Sequence, residues 1–379
     1  NDAEELILED PVPAEVDLPV AVELASGWEA PVLGMRLILA RQGLDWKSVD
    51  TEMRLATTRC TNALLEGKGT EPVLFITSGF GNLLEIGDQR RLGLFDLIPQ
   101  KRKNLTEDII EIDERIDRDG HVLTAPDYQE IKKMANDLVS SGKRNAVISF
   151  FHSCRNPEHE IQVAEILSEA GFRKVVVSSS IYNFPKWLPR LESGVVEAYL
   201  SDVLDHYLDQ VQDALGQSDS LRVMSSAGGL QKRSKYRAID SLLSGPAAGV
   251  VGAGSIAKSA GFQDFINLDM GGTSTDVSRF SGHYGYQSPH QVGDARITST
   301  SLKIETVAAG GGSICRVENG LLRVGPQSSG AHPGPACYGF GGPLCLTDVN
   351  LLLGRLSLDD FSTPVFPEAS RERLDEMIS

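Results

Sequence analysis

Apolar and polar positions alternate along the chain in two different rhythms, which predict strands and helices that follow one another closely. Short runs of β-branched and other apolar residues bounded by turn residues predict buried strands at 73–77, 146–151, 175–177 and 221–224. Longer segments with apolar residues at helical spacing predict helices at 30–43, 127–141, 157–170, 187–215 and 246–260. Strands that alternate with helices favour an α/β fold with mixed sheets.

The segment 265–280 has a different pattern, because two short apolar runs flank a polar turn that contains glycine. Its centre reads LDMGGTSTDV at 268–277 and predicts strand, tight turn, strand. Adjacent glycines let backbone N–H groups point at one spot, and N–H groups and hydroxyls suit phosphate oxygens. A neighbouring carboxylate suits hydrated Mg²⁺, which prefers oxygen ligands.

The hairpin therefore predicts a nucleotide phosphate site. We expect the phosphate oxygens to contact Gly271, Gly272, Thr273, Ser274 and Thr275. We expect catalytic carboxylates at Asp269 and Asp276, with Asp269 holding Mg²⁺ through water. The alternative is an ordinary glycine turn with exposed threonines. No G-x-x-x-x-G-K-[ST] motif is present, and β-branched residues rather than a helix follow the glycines, so neither a P-loop nor a Rossmann fingerprint is indicated.

Composition restricts the kinds of partner that the chain is expected to bind. Its 379 residues carry a net charge of −16, which argues against nucleic acid as the main partner. No apolar run approaches the ~18 residues of a membrane span. The five cysteines form no C-x-x-C pair, so reduced thiols and a cytoplasmic location are expected.

Several sequence blocks together resemble one known family. They are TTRCTNALLEGKG at 57–69, GFGNLLEIGDQRR at 79–91, FFHSCRNPEHE at 150–160, LSGPAAGVVGA at 243–253, DMGGTSTDV at 269–277, TVAAGGGSI at 306–314, GPACYG at 334–339 and LTDVNLLLGRL at 346–356. Their content and order resemble the A-type, ATP-binding component of the hydantoinase/oxoprolinase family. The resemblance covers almost the whole chain beyond about residue 25.

The resemblance implies an actin-like ATPase (ribonuclease H-like) fold with two lobes and mixed sheets. It also implies ATP and Mg²⁺ as cofactors and ATP-dependent opening of a cyclic amide such as 5-oxoproline or a hydantoin, through phosphorylation of the carbonyl oxygen. The expected partners are the small cyclic amide and a B-type component or fused domain, in an oligomer. Two alternatives stay open: the ATP-using subunit of a ketone carboxylase, and a nucleotide-binding module without turnover.

The family usually carries a first glycine–threonine hairpin near its N-terminus, and no such run occurs here. We therefore expect a chain that is incomplete at both ends and inactive by itself. The expected domains are an N-terminal lobe at 1–216, without the first phosphate hairpin, and a second lobe at 221–379, truncated at its C-terminus. The best linker candidate is 217–220.

Further candidates each have a structural alternative. Gly310, Gly311 and Gly312 could approach the nucleotide or form a flexible turn. Asp348 could reach the active cleft or cap a helix. His152 ends a strand, where site residues often lie, but a structural histidine is the default. A polar strand end could contact substrate or cap a helix; it comprises Thr57, Thr58, Thr61 and Asn62.

Overall fold

The computed structural model describes residues 28–89, 104–216, 220–361 and 363–378. Within these ranges the helices are α1 (Ala30–Arg41), α2 (Arg59–Glu66), α3 (Leu83–Ile86), α4 (Tyr128–Ser140), α5 (Glu158–Ala170), α6 (Ser178–Ile181), α7 (Trp187–Leu215), α8 (Ala238–Ser241), α9 (Ser244–Ser259), α10 (Leu346–Leu352) and α11 (Pro367–Ile378). The strands are β1 (Met53–Leu55), β2 (Val73–Thr77), β3 (Ile109–Ile112), β4 (Arg115–Ile116), β5 (Val122–Thr124), β6 (Asn145–Ser149), β7 (Lys174–Val177), β8 (Leu221–Met224), β9 (Leu230–Lys232), β10 (Asp264–Met270), β11 (Thr275–Ser281), β12 (Tyr286–Gln287), β13 (His290–Val292), β14 (Ala295–Ile297), β15 (Ser301–Leu302), β16 (Glu305–Val307), β17 (Ser313–Glu318) and β18 (Leu321–Ser328).

These elements confirm the strands and helices predicted from the periodicity, with shifts of a few residues at their ends. Helix α7 runs unbroken through Gly194. A Cβ at this position would lie 3.3 Å from a methyl carbon of Val147, so the glycine lets α7 approach the sheet closely. Helix α9 begins at Ser244, two residues before the predicted start, because a proline is tolerated in the first turn of a helix.

A four-stranded parallel sheet has the order β3–β2–β6–β7. Every residue of β2 and β6 is buried, as expected for strands that are covered on both faces. Phe75 and Ile148 pack in one cluster with α4 and α5, whereas Leu74 and Val147 pack in another with α7. The sheet is therefore the centre of a three-layer α/β unit.

A second core joins residues from both sides of the predicted linker. Strand β1 pairs in parallel with β8, and Leu55, Leu204, Val223 and Ile297 belong to one buried cluster. Residues 217–219 lie outside the described residues, so the linker itself is not described. The division into lobes at 1–216 and 221–379 stays a prediction, and this core crosses it.

A third sheet has the antiparallel order β10–β11–β16 and carries the predicted hairpin. Helix α9 covers one of its faces, on the side of Phe265 and Phe280. The other face is open, with Ile266 and Leu268 exposed by 73% and 65%. No helix in the described part of the chain is long and apolar enough to cross a membrane.

Candidate functional site

The predicted hairpin is confirmed, and its register fixes the direction of the site side chains. Met270 lies opposite Thr275, and Asp269 lies opposite Asp276. The Gly271 N–H donates to the carbonyl oxygen of Ser274 at 2.9 Å and closes the turn. Neither Gly271 nor Gly272 adopts a left-handed backbone, so these glycines do not serve the conformational purpose that the sequence suggested. The turn residues through Thr273 are exposed and accessible to a ligand.

Two carboxylates lie on one face of this sheet. Residues directly opposite each other on neighbouring strands project to the same side, so Asp269, Asp276 and Thr306 form one row across the sheet. The Thr306 hydroxyl donates to Asp276 Oδ1 at 2.7 Å. Like charges placed opposite each other repel, and a cation between them would relieve that repulsion.

This donor set fits Mg²⁺ held through water. The ion prefers oxygen ligands and keeps several of its own waters, so it needs only one or two carboxylates from the protein. Among the described residues, no group of three or more His, Cys, Asp or Glu side chains is arranged to hold a metal directly. Asp269 therefore stays the predicted magnesium residue, and the structure adds Asp276 as a second carboxylate in the same row.

The second glycine cluster packs against the hairpin turn, backbone to backbone. The N–H groups of Gly311 and Gly312 donate to the carbonyl oxygens of Gly271 and Gly272 at 2.9 and 2.7 Å. A Cβ at Gly310 would lie 2.6 Å from the backbone atoms of Gly272. No other residue fits this approach, so the cluster is neither a flexible turn nor free to move: it fixes the shape of the phosphate turn from behind.

The polar segment after β1 meets the same region through helix α9. The Thr57 N–H donates to the Ser244 hydroxyl at 3.3 Å. A Cβ at Gly245 would lie 3.0 Å from Thr58 Cγ2, and a Cβ at Gly249 would lie 3.6 Å from Asp269 Oδ2. Four helical residues span about 6 Å, so Thr58 and Asp269 lie beside α9 about one turn apart.

Two predicted members of this polar segment belong to helix α2 instead. The strand was expected to continue through Thr61 and Asn62, but α2 already begins at Arg59, so both are helical residues. The N-cap is Thr58, without a side-chain capping bond, and neither Thr61 nor Asn62 caps the helix. The Thr61 hydroxyl donates to the Leu242 carbonyl oxygen at 2.5 Å, which ties α2 to the segment before α9.

Asp348 is fully buried and its carboxylate is occupied by protein donors. It accepts the N–H groups of Ala336, Cys337 and Cys345 at 3.1, 2.7 and 2.7 Å, and the Ser370 hydroxyl at 2.7 Å. The bond from Cys345 forms a capping box at the start of α10. These contacts describe a structural role, and they do not support the predicted catalytic one.

The cysteines near Asp348 are buried thiols. Burial, with Asp348 nearby, raises the pKa of Cys337 to about 12, and burial also raises the pKa of Cys345. Thiols with a raised pKa stay protonated at neutral pH, and the thiolate is the reactive form. All five cysteines are free.

His152 lies apart from the hairpin, at the carboxyl end of β6 in the parallel sheet. Close to it is a buried polar group that the sequence did not predict. In this group the Thr77 hydroxyl accepts the Phe151 N–H and donates to Glu114, which also pairs with His159. His159 Nδ1 and Glu114 Oε2 are 2.7 Å apart, so His159 has the structural partner that is the default for a buried histidine. Glu114 and His159 are 45 residues apart, and no periodic pattern in the sequence connects them.

Sequence and structure comparisons identify the class and then the family. The chain is similar to the crystal structure of an ATP-dependent caprolactamase from Pseudomonas jessenii, with a TM-score of 0.77 and 29% identity over 92% of this chain and 53% of that one. The fold is thus of the actin-like ATPase type. The family model of the hydantoinase/oxoprolinase N-terminal region matches residues 13–171, and the hydantoinase/oxoprolinase family model matches residues 190–378. The chain belongs to the hydantoinase/oxoprolinase family.

Two curated relatives are 5-oxoprolinases. The chain is 38% identical to 5-oxoprolinase PfmaA of Pestalotiopsis fici over 94% of its own length, and 37% identical to 5-oxoprolinase 1 of Arabidopsis thaliana over 94%. It spans only 31% and 30% of the length of these relatives.

Proposed function

We propose that the chain is the ATP-handling part of an enzyme that opens a cyclic amide such as 5-oxoproline or a hydantoin. The observation that carries this proposal is the arrangement at α9, where Asp269 and Thr58 lie about one turn apart. We infer that the phosphate turn, the carboxylate row and the threonine segment contact one nucleotide. The names of the relatives, 5-oxoprolinase and caprolactamase, support a lactam as the substrate class.

Each group of residues has its own role in the proposed reaction. The turn at 271–275 holds phosphate oxygens through N–H groups and hydroxyls, and Asp269 and Asp276 hold Mg²⁺ through water. When bound, ATP would supply its terminal phosphoryl group to the amide oxygen with ADP as the leaving group, and the carbonyl carbon would then be a better electrophile for water. The glycines at 310–312 keep the turn in a fixed shape, so that its donors need no reorganisation when charge develops.

The longer relatives support two further parts of the proposal. A B-type component or a fused domain supplies the remainder of the active enzyme, because the chain spans about 30% of the 5-oxoprolinases. We place the assembled enzyme, as an oligomer, in the cytoplasm, where five free cysteines stay reduced.

The test is ATP hydrolysis by the protein at its natural length, with any separate partner component added. We expect 5-oxoproline or a hydantoin to stimulate hydrolysis, and Asp269→Asn to lower the stimulated rate at least 100-fold without unfolding the protein. Asp264→Asn is the matched control, because Asp264 begins the same strand and lies about 17 Å away along it.

Four results would contradict parts of this proposal. No stimulation by any ring amide would rule out ring opening, and stimulation by a ketone with bicarbonate would favour the carboxylase alternative. An unchanged rate in Asp269→Asn would remove Asp269 from the site. For the 379-residue chain alone we expect weak or no ATP binding by calorimetry; tight binding would show that one hairpin suffices.

A further inference from the structure

The turn of the hairpin keeps a run of backbone N–H groups that the protein itself does not use. The Gly271 N–H is bonded to the Ser274 carbonyl oxygen, which closes the turn. The next three N–H groups, at 272–274, donate to no acceptor in the described part of the chain. Consecutive N–H groups of this kind suit an anion. The direction in which they point therefore decides whether the turn can bind phosphate.

The glycine cluster at 310–312 sets that direction. A trans peptide group is planar, so its carbonyl oxygen points opposite to the N–H of the next residue. The peptide bonds of this turn are trans. The carbonyl oxygens of Gly271 and Gly272 accept the N–H groups of Gly311 and Gly312, at 2.9 and 2.7 Å. The N–H groups of Gly272 and Thr273 therefore point away from the cluster.

An ordinary β-turn would not direct its donors in this way. There the carbonyl oxygen of the first residue often accepts the N–H three residues later, within the turn. Here the carbonyl oxygen of Gly271 accepts from Gly311 instead. The outward direction of the donors is thus imposed from outside the hairpin, and whatever holds the cluster also holds the donors.

Thr347 holds the cluster from behind with two donors on one acceptor. Its N–H and its hydroxyl both bond to the carbonyl oxygen of Gly311, at 2.8 and 2.9 Å. The N–H on the other side of that peptide group belongs to Gly312 and bonds to Gly272. The N–H that follows Gly272 is that of Thr273. Since hydrogen bonds in a chain polarise one another, a continuous row of peptide groups runs from Thr347 to the Thr273 N–H.

Thr347 is itself held in a fixed position. It is the second residue of α10, where backbone N–H groups have no partner within the helix. The capping box between Cys345 and the buried Asp348 encloses it. The contact is close, because a Cβ at Gly311 would lie 2.7 Å from Thr347 Oγ1. The buried Asp348 network therefore has a consequence for the hairpin, although Asp348 does not contact it.

We propose that Thr347 is a positioning residue for the phosphate turn. Its hydroxyl aims and strengthens the Thr273 N–H through the peptide groups of Gly311 and Gly272, and it acts without touching the nucleotide. Donors that are already aimed need no reorganisation when an anion binds or its charge increases. The inference rests on one part of the proposed function, the binding of phosphate at this turn, and it is independent of ring opening.

The test is binding of adenylyl imidodiphosphate, an ATP analogue that is not hydrolysed, with Mg²⁺ and without a ring amide. Calorimetry is done on the protein at its natural length, with any separate partner component added. Thr347→Val keeps the β-branched shape and removes the hydroxyl, so it should weaken binding at least fivefold. Thr347→Ser keeps the hydroxyl and should bind within twofold of the wild type.

Ser370→Ala is the matched control for a merely structural effect. The Ser370 hydroxyl donates to Asp348 Oδ1 at 2.7 Å, so it also supports the start of α10, but it is outside the row of peptide groups. This variant should lower the temperature of thermal unfolding and leave the affinity within twofold.

Several results would overturn the role of Thr347. They are unchanged affinity in Thr347→Val, an equal loss in Thr347→Ser, and an equal loss in Ser370→Ala. No binding by the wild type would contradict both this inference and ATP handling by the hairpin. Tight binding without stimulation of hydrolysis by a ring amide would contradict ring opening alone, so the two proposals can fail separately.

Discussion

The parallel sheet is covered by helices on both faces, whereas the hairpin sheet is covered on only one face. Strands β2 and β6 are buried along their whole length between two layers of helices. Strand β10 has only α9 on one face, and Ile266 and Leu268 on its other face remain exposed. The comparison teaches that the stable scaffold and the predicted phosphate site reside in different sheets. The hairpin sheet has a buried face only on the side of α9.

The largest expected difference concerns apolar truncation. Phe75 is fully buried in β2, so Phe75→Ala should lower the free energy of unfolding by about 3–5 kcal/mol. Leu268→Ala in β10 should change it by less than about 0.5 kcal/mol, because the side chain is 65% exposed. Urea unfolding of both variants measures the difference, and similar losses would show that the open face of the hairpin sheet is covered in solution.

The next difference concerns one hydroxyl in each sheet. Thr77→Val leaves the buried Glu114 oxygen and the Phe151 N–H without their partner, and should cost about 2–3 kcal/mol. Thr306→Val removes one exposed hydrogen bond to Asp276 and should cost about 0.5 kcal/mol. The same unfolding measurement applies, with the two variants as controls for each other. A Thr77→Val protein as stable as the wild type would contradict the importance of the buried network.

The smallest expected effect concerns the contact between glycine segments. Gly310→Ala places a methyl group 2.6 Å from the Gly272 backbone and should cost about 1–2 kcal/mol by overpacking. Gly252→Ala, in α9 with open space around its Cβ position, should instead stabilise by about 0.5–1 kcal/mol. If Gly310→Ala were neutral, the turn would not be held from behind as the structure shows. Thermal unfolding by circular dichroism distinguishes the two.

The sequence predicted most of the fold because its strongest signals are local. Fully buried strands such as 73–77 read as continuous apolar runs, and the long helix α7 has uninterrupted helical spacing. The polar strand end was predicted to include Thr61 and Asn62, whereas α2 begins at Arg59, because the first residues of this helix are largely polar and its N-cap lacks a capping bond. Without apolar periodicity or a capping residue, the sequence does not show where such a helix begins.

The candidate site could be predicted only in part, since its residues meet through contacts distant in the chain. The hairpin pattern identified Asp269 and Asp276, but nothing in the sequence connected Gly310 to Gly272 or Gly249 to Asp269. The sequence left two roles open for Asp348, because a carboxylate in a polar sequence block can serve a ligand or satisfy backbone N–H groups equally well. Its three backbone N–H donors and the capping box support the helix-capping alternative. Only the fold determines which of these two roles the carboxylate has.

Helix α7 connects the parallel sheet with the helix that lies beside the predicted phosphate site. Trp187 at its first residue contacts the rings of Phe80 and Phe151, and Glu197, ten residues later, accepts the Ile239 N–H just before α9. Ten helical residues span about 15 Å. A helix is stiff over that length, so α7 sets a fixed distance between the loops that follow β2 and β6 and the segment that leads into α9.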